Sequence, residues 1–296
     1  MRKIDHGGTP RTALSLLCVH AHPDDEAIST GGVLARYADE GMRVAVVTCT
    51  GGERGEVVGE GMDPDEIAPR LGEVRYDELS RALKILGAGP PRLLGYVDSG
   101  MMGTDGNDDP ASFWRAHFDE AVGRMVAQIR ELRPDVLVTY DAFGGYGHPD
   151  HLQAHRVAIT AVEAADVPAL YPDAGPSWRV RKVYYAAIPK GAIFQINGWL
   201  TERGLASPFA GAERPEDLPF GTPDERVTTT VDVGAWLQRK REALYAHASQ
   251  IGPDSFFLNI PDELAAQAFG QEWFVRQRSD VPAPTAEDDL FAGLRP

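Results

Sequence analysis

Cysteine, positive charge and long apolar runs are all in short supply in this chain. Cys18 and Cys49 are its only cysteines. Both fall inside apolar stretches, which excludes a disulfide framework or a cysteine-built zinc site and reads as buried thiols of a reducing compartment. No apolar run approaches membrane-spanning length, and residues 1–13 carry Arg2, Lys3 and Arg11 without the apolar segment of a secretory leader. A soluble, cytoplasmic protein is expected. Lys and Arg number 29 against 44 Asp and Glu, a net charge of −15. Such a surface excludes nucleic-acid tracking and attachment to anionic lipid, both of which need a basic face, and favours a neutral or cationic small substrate. Neither G-x-G-x-x-G nor G-x-x-x-x-G-K-[ST] occurs, so Gly51-Gly52 is no nucleotide loop. Internal repeats and long polar or Gly/Ser-rich linkers are absent too. The 296 residues therefore read as one large core over 1–175, with 176–296 completing the pocket as part of the same domain or a small subdomain.

What is present begins with an apolar run, Leu14, Leu16, Leu17, Cys18 and Val19, patterned like a strand covered on both faces. It ends in His20-Ala21-His22-Pro23-Asp24-Asp25-Glu26, two histidines and three carboxylates in a row. Pro23 forbids a further ladder bond and Asp24 or Asp25 can cap a following helix, so the cluster falls in a strand-to-helix turn. Ala27 to Ala38 recur at helical spacing up to Gly41. Val44–Val47 is a second strand, with Gly51-Gly52-Glu53-Arg54-Gly55-Glu56 as its loop. Ile67, Leu71, Val74, Leu79, Leu83 and Leu86 predict one long amphipathic helix. Arg92–Val97 is a third strand, residues 118–132 a helix, and Val136–Tyr140 a fourth strand. That strand opens into Gly144-Gly145-Tyr146-Gly147-His148-Pro149-Asp150-His151, and a helix resumes near Leu152.

This alternation predicts an α/β fold, a Rossmann-like doubly wound and mostly parallel sheet with helices on both faces and a smaller C-terminal extension. In the common doubly wound order, strands 1 and 4 are neighbours across the switch point, so their two polar loops face each other over one crevice. Beyond residue 175 the pattern weakens. Val180–Ile188 and Arg226–Val233 read as strands and Trp236–His247 as a helix, while the Pro- and acid-rich tail from Phe256 matches no element.

His22, Asp25 and His151 are a ligand set that suits zinc, or another divalent ion such as iron(II), with one position left for water. A metal so held acidifies water and polarises a carbonyl, the standard route to hydrolysing an unactivated amide. Asp24, beside a ligand but free to point elsewhere, is a candidate general base. Tyr146 and His148 are placed to stabilise an oxyanion and protonate a departing amine, and Asp150 to orient a histidine. Taken singly, Asp25 reads equally as a helix cap and His151 as a polar residue opening a helix; a cap is the lesser reading of Asp24, and loop packing that of Tyr146. Two His/Asp clusters at facing strand ends together favour the metal reading. His20, within a strand, and His155 and His247, on helices, read as structural.

The pairing of Ala21-His22-Pro23-Asp24-Asp25-Glu26 with Gly147-His148-Pro149-Asp150-His151 resembles the LmbE/PIG-L family of zinc-dependent N-deacetylases. The likeness is strong from residue 14 to about 165 and looser through His247-Ala248-Ser249-Gln250. It implies a Rossmann-like fold, zinc on His22, Asp25 and His151, and Asp24 as base. It also implies a mobile oxyanion contact in Tyr146, an acid or electrostatic partner in His148, and Asp150 behind them. Arg75 and Asp98 match positions that hold inositol and sugar hydroxyls, and Glu56 one near the substrate entrance. Within the family the chain is most similar to an actinobacterial pair in mycothiol metabolism, an N-acetylglucosaminyl-inositol deacetylase and an S-conjugate amidase. The amidase branch shares Gly51–Glu56 and the Leu290-Phe291-Ala292-Gly293 ending. It typically places lysine where Ser29 stands and proline where Gly147 stands, which favours the deacetylase. The expected partner is a small amino sugar, without nucleic acid or membrane; the sequence carries no signal for an oligomeric state. The competing readings are the S-conjugate amidase, a deacetylase of a secondary-metabolite amino sugar, and a sugar-binding module without catalysis, which would need the hydroxyl contacts but not Asp24.

Overall fold

The first apolar run forms β1 (Ser15–His20), buried at every residue, because helices cover both of its faces. The computed structural model describes residues 13–204, 211–252, 255 and 260–295; Arg2, Lys3, Arg11 and Phe256 lie outside them. After β1 come α1 (Asp25–Asp39), β2 (Arg43–Thr50), a short α2 (Pro64–Ile67), α3 (Leu71–Leu86), β3 (Arg92–Tyr96), α4 (Phe118–Leu132), β4 (Val136–Thr139) and α5 (Pro149–Ala165). The C-terminal portion adds β5 (Lys182–Ala187), α6 (Lys190–Glu202), β6 (Thr229–Asp232), α7 (Leu237–Ala246), α8 (Asp262–Phe269) and β7 (Gln271–Ser279).

Among the described residues the seven strands join one sheet in the order β3-β2-β1-β4-β5-β7-β6. The first five are mutually parallel, and β7 runs antiparallel to both β5 and β6. β1 and β4 are neighbours, as expected, with Leu16 to Cys18 in register with Val136 to Val138. Since the chain winds outward from β1 to β3 and then returns to β4, the loops after β1 and β4 diverge in sequence and open a crevice between them. On one face α1, α3 and α7 bury Leu34, Leu79, Leu83 and Leu244; on the other α4 and α5 bury Val126, Ile129, Val157 and Ala161. Cys18 and Cys49 are fully buried, and burial pushes both thiols above their ordinary pKa. No helix among the described residues is long and apolar enough to cross a membrane.

Three expectations need correction. The long helix from Ile67 is broken at Ala68–Arg70, a 3₁₀ turn, because Pro69 has no N–H to give and its ring obstructs the preceding turn. α6, at 190–202, escaped a pattern search because Gly191, Asn197 and Gly198 interrupt its apolar spacing. The tail contributes α8 and β7, whose residues pair with β5 and β6.

The C-terminal portion grips α1. Glu272 on β7 accepts hydrogen bonds from Gly32 N and Val33 N at 2.8 and 2.9 Å, entering the helix ladder, and Lys240 Nζ on α7 closes on Glu272 at 2.6 Å. Gly32 is needed there, since a Cβ would lie 2.5 Å from Val233. Farther along, Tyr37 donates to Asp289 at 2.9 Å and accepts from Leu290 N at 2.9 Å.

Candidate metal centre

His22 and Asp25 stand in the turn between β1 and α1, where Asp25 Oδ2 accepts the His22 backbone N–H at 2.8 Å. The same oxygen lies 3.5 Å from His22 Nδ1 and 3.5 Å from His151 Nε2, the latter carried by the first turn of α5 on the other side of the crevice. Donors about 2.0–2.1 Å from a tetrahedral ion stand roughly 3.4 Å from one another. Residues 126 positions apart (25 and 151) thus converge with the spacing of ligands around one cation.

Hydrogen bonds decide which atoms are free to ligate. His151 Nδ1 faces the Gly144 carbonyl at 3.1 Å, leaving Nε2 buried with no hydrogen-bond partner. Burial lowers the pKa of this imidazole to about 3, so it is neutral and offers a lone pair. Gly144 is required beside it: its φ is +67° and a Cβ would come within 2.6 Å of His151 Cβ. His22 Nε2 is engaged by Asp150 Oδ2 at 3.2 Å and lies 3.6 Å from Asp98 Oδ1, which turns Nδ1 toward Asp25. Burial opposes a charge on His22, but Asp150, Asp25 and Asp98 outweigh it and hold its pKa well above the ordinary value. A site this rich in buried carboxylate calls for a cation, and a divalent ion competes for it with the His22 proton. The orphaned Nε2 and the excess of carboxylate together fit a divalent metal.

Asp150, fully buried, is the expected orienting group. It accepts from Ser99 N at 2.8 Å, from Ser99 Oγ and from His22. His148 is the N-cap of α5, and its Nδ1 accepts the Asp150 N–H at 3.1 Å. In the neutral ring the proton therefore sits on Nε2. Burial, then the positive His22, lowers the His148 pKa and keeps that ring neutral. Its ring is edge-on to His22, centroids 4.6 Å apart. Donor atoms of His22, His148 and His151 lie within 4.8 Å of one another, as do those of His22, Asp98, His148 and Asp150.

Asp24 occupies the N-cap of α1, yet its side chain makes no cap bond. Its φ is +111°, a region sparsely populated by residues with a Cβ and costing about 1–3 kcal/mol. The carboxylate accepts from Arg75 Nη2 at 3.1 Å. Burial raises its pKa to about 6, with Arg75 opposing and Asp25 reinforcing the rise. Tyr146, half-exposed between Gly145 and Gly147, meets the His151 ring in a T-shaped contact, centroids 4.9 Å apart.

The remaining sequence-derived residues are placed differently. Arg75 is buried behind Asp24, its guanidinium bound to Pro23 O, Gly52 O and Asp24 instead of facing open space. A Cβ on Gly52, whose φ is +68°, would run into that guanidinium. Asp98 is buried against His22, Gly100 N and Arg54 N; His22 first, then Gly100 N and His148, hold its pKa low against burial. Glu56 is exposed, and Ser29 lies half-buried along α1, outside the cluster.

Sequence reasoning passed over Tyr140. Its hydroxyl donates to Asp25 Oδ2 at 2.8 Å and accepts from Ala21 N at 2.9 Å, while its ring stacks on His151 at 4.2 Å. A tyrosine ending an apolar strand beside a polar loop was the available signal, because a buried phenol needs a partner. His20 is a satisfied core histidine, bound to Thr30 at 2.9 Å and Tyr140 at 3.3 Å.

Residues 17–162 match the family described as PIG-L, GlcNAc-PI de-N-acetylase. The chain is 48% identical over 286 residues to the 1D-myo-inositol 2-acetamido-2-deoxy-alpha-D-glucopyranoside deacetylase of Geodermatophilus obscurus, covering 94% of this chain and 97% of that one. It is 45% identical to the deacetylase 1 of the same description from Catenulispora acidiphila, covering 97% and 91%. Among solved structures, N,N'-diacetylchitobiose deacetylase from Pyrococcus horikoshii superposes with a TM-score of 0.61 at 20% identity, over 90% of this chain and 84% of that one. That last likeness establishes the shared fold.

Proposed function

The chain belongs to the PIG-L family of N-deacetylases, and from that membership we propose that it hydrolyses the acetamide of 1D-myo-inositol 2-acetamido-2-deoxy-alpha-D-glucopyranoside. The observation that carries this reading is the convergence of His22 Nδ1 and His151 Nε2 on Asp25, with Asp24 next to them and its carboxylate tuned to about 6. His22, Asp25 and His151 would hold the metal, zinc by the chemistry of two imidazoles and a carboxylate. Bound there, the ion supplies Lewis acidity to the acetamide carbonyl and to water.

The chain's own residues do the rest. Asp24, ionised at neutral pH and anchored by Arg75, takes the proton of the attacking water. Tyr146, half-exposed beside His151, donates its hydroxyl toward the oxygen that gains charge at the carbonyl. Asp24 then returns the proton it took from water to the glucosamine nitrogen as the C–N bond breaks, so that acetate and a free amine leave, while neutral His148 donates an Nε2–H hydrogen bond to the oxygen that gains charge. Asp150 keeps His22 oriented through Nε2 and sets His148 through its own backbone N–H. Arg75 acts through Asp24, and Asp98 and the exposed Glu56 are the carboxylates offered to sugar and inositol hydroxyls. A negatively charged chain and an uncharged disaccharide substrate are compatible, and the liberated amine is cationic.

Acetate release from the N-acetylglucosaminyl-inositol is the test, run with the metal-loaded and the chelated, metal-free protein, and in parallel with an S-conjugate of the acylated thiol. Turnover restricted to the loaded protein and higher on the acetamide is expected. Full activity of the metal-free protein rejects the metal reading; a rate ratio favouring the conjugate reassigns the substrate; no turnover on any amide favours a binding module.

A further inference from the structure

Asp24 is one of three described non-glycine residues with a positive φ, and at +111° the most extreme. Arg75 holds its side chain and, through Pro23 O, the carbonyl end of the Pro23–Asp24 peptide; the N–H end of that peptide is held by a different group. The backbone N–H of Asp24 donates to Glu26 Oε2 at 2.9 Å. The other oxygen of Glu26 meets Nε2 of His247 at 2.7 Å, across 221 positions of sequence. Both side chains are fully buried, so neither reaches substrate. His247 directly follows α7, and its position is set in turn by three backbone bonds, His247 N to Leu244 O and Gln250 N and Ile251 N to His247 O. A carboxylate two residues from the strained peptide is thus gripped at one oxygen by the C-terminal third and holds the strained N–H with the other.

We propose that Glu26 and His247 are a positioning pair that keeps Asp24 in its strained conformation. The inference rests on the reading of Asp24 as the general base. Without an acceptor at Glu26 the Asp24 N–H loses its partner, the peptide relaxes toward negative φ, and the carboxylate swings on Cα away from the site. Without His247, Glu26 keeps its burial but loses the contact that selects its rotamer. The pair could instead merely weld α7 to α1. A weld changes stability, metal affinity and KM together; a positioning pair changes kcat alone.

The test uses the full-length, zinc-loaded chain. Replacing both partners by apolar side chains, Glu26→Met with His247→Leu, leaves no unpaired buried ion. Expected are parental zinc affinity and an unchanged KM for the N-acetylglucosaminyl-inositol, with kcat lower by about 30-fold or more. Glu26→Gln, which keeps an acceptor for the Asp24 N–H, is expected to retain most of kcat. In an Asp24→Asn background the double replacement is expected to have no further effect on the residual rate. A folded, zinc-loaded double variant with parental kcat overturns the proposal, and so does a kcat loss that tracks lost zinc or persists undiminished in the Asp24→Asn background. If the double variant does not fold, His247→Gln is measured by the same criteria, and parental kcat there overturns it equally. Parental kcat in Asp24→Asn alone instead rejects Asp24 as the base; an inactive Asp24→Asn beside a fully active double variant rejects only the pair.

Discussion

Residues 15–165 and the portion from Lys182 onward both bury charged groups, but they balance them in opposite ways. In the first region His22 is flanked by Asp25, Asp98 and Asp150, carboxylates outnumber cations, and His151 Nε2 has no hydrogen-bond partner. In the second every buried ion named has a counter-ion at bonding distance: Lys182 on Glu287 at 2.6 Å, Lys240 on Glu272 at 2.6 Å, His247 on Glu26 at 2.7 Å. Glu287 is further satisfied by Tyr184 at 2.8 Å and Thr229 at 3.0 Å. Charge matching marks a scaffold, because a closed pair has nothing left to offer a ligand. An uncompensated cluster at the sheet's switch point marks a site, because only an added cation completes it.

The largest test of that contrast removes the free donor. His151→Gln is expected to lose stoichiometric zinc and to lower kcat/KM about a thousandfold or more, while the metal-free protein unfolds within a few degrees of the parent. Metal analysis and thermal melts check both halves; retained zinc would mean that the His22, Asp98, His148 and Asp150 set is the true centre. Next in size is the opposite experiment in the scaffold. Lys240→Met leaves Glu272 buried without its counter-ion and is expected to cost about 3–5 kcal/mol in denaturant unfolding. Its kcat in the surviving folded protein stays near parental. A large kcat loss there without a stability loss would erase the distinction between the two regions.

The two regions also differ in how much of them the sequence discloses. β1, β4 and the polar turns after them are legible because a strand buried on both faces must be apolar throughout, so a sudden His-Pro-Asp-Asp cannot belong to it. Their adjacency follows from connection rules alone. The same reading missed the break at Pro69 by following apolar spacing past a residue that cannot donate. It missed α6 because Gly191, Asn197 and Gly198 interrupt its apolar spacing, and β7 because its strand carries few apolar residues: only Glu272 to Val275 alternate buried with half-buried, and no residue beyond Phe274 is fully buried. Pairings such as Glu26 with His247 have no local signature, since their spacing in sequence is set by topology and not by period.

Tyr140→Phe sharpens the comparison from within the site. Removing the hydroxyl leaves the stack on His151 but takes the donor from Asp25, and zinc affinity is expected to weaken about 10- to 100-fold. Competition with a chelator measures this directly, with the melting temperature of the metal-free protein as the control. An unchanged affinity would place Asp25 outside the ligand set.

The smallest effect is in the pH profile, and its sign separates Asp24 from an ordinary surface carboxylate. A group at its unperturbed value of 3.8 stays ionised throughout the stable range, whereas burial carries Asp24 to about 6. A base must be ionised to act, so protonation on lowering the pH removes activity: kcat/KM is expected to fall below about pH 6 and to approach a tenfold decrease per pH unit. The metal adds positive charge beside Asp25 and draws the midpoint somewhat lower, toward but not down to 3.8. Arg75 opposes the rise, so Arg75→Met is expected to move the acid limb upward in pH even as it lowers the maximum rate. A limb that stays fixed in Arg75→Met belongs to another group, and the proton taken from water then goes elsewhere than Asp24.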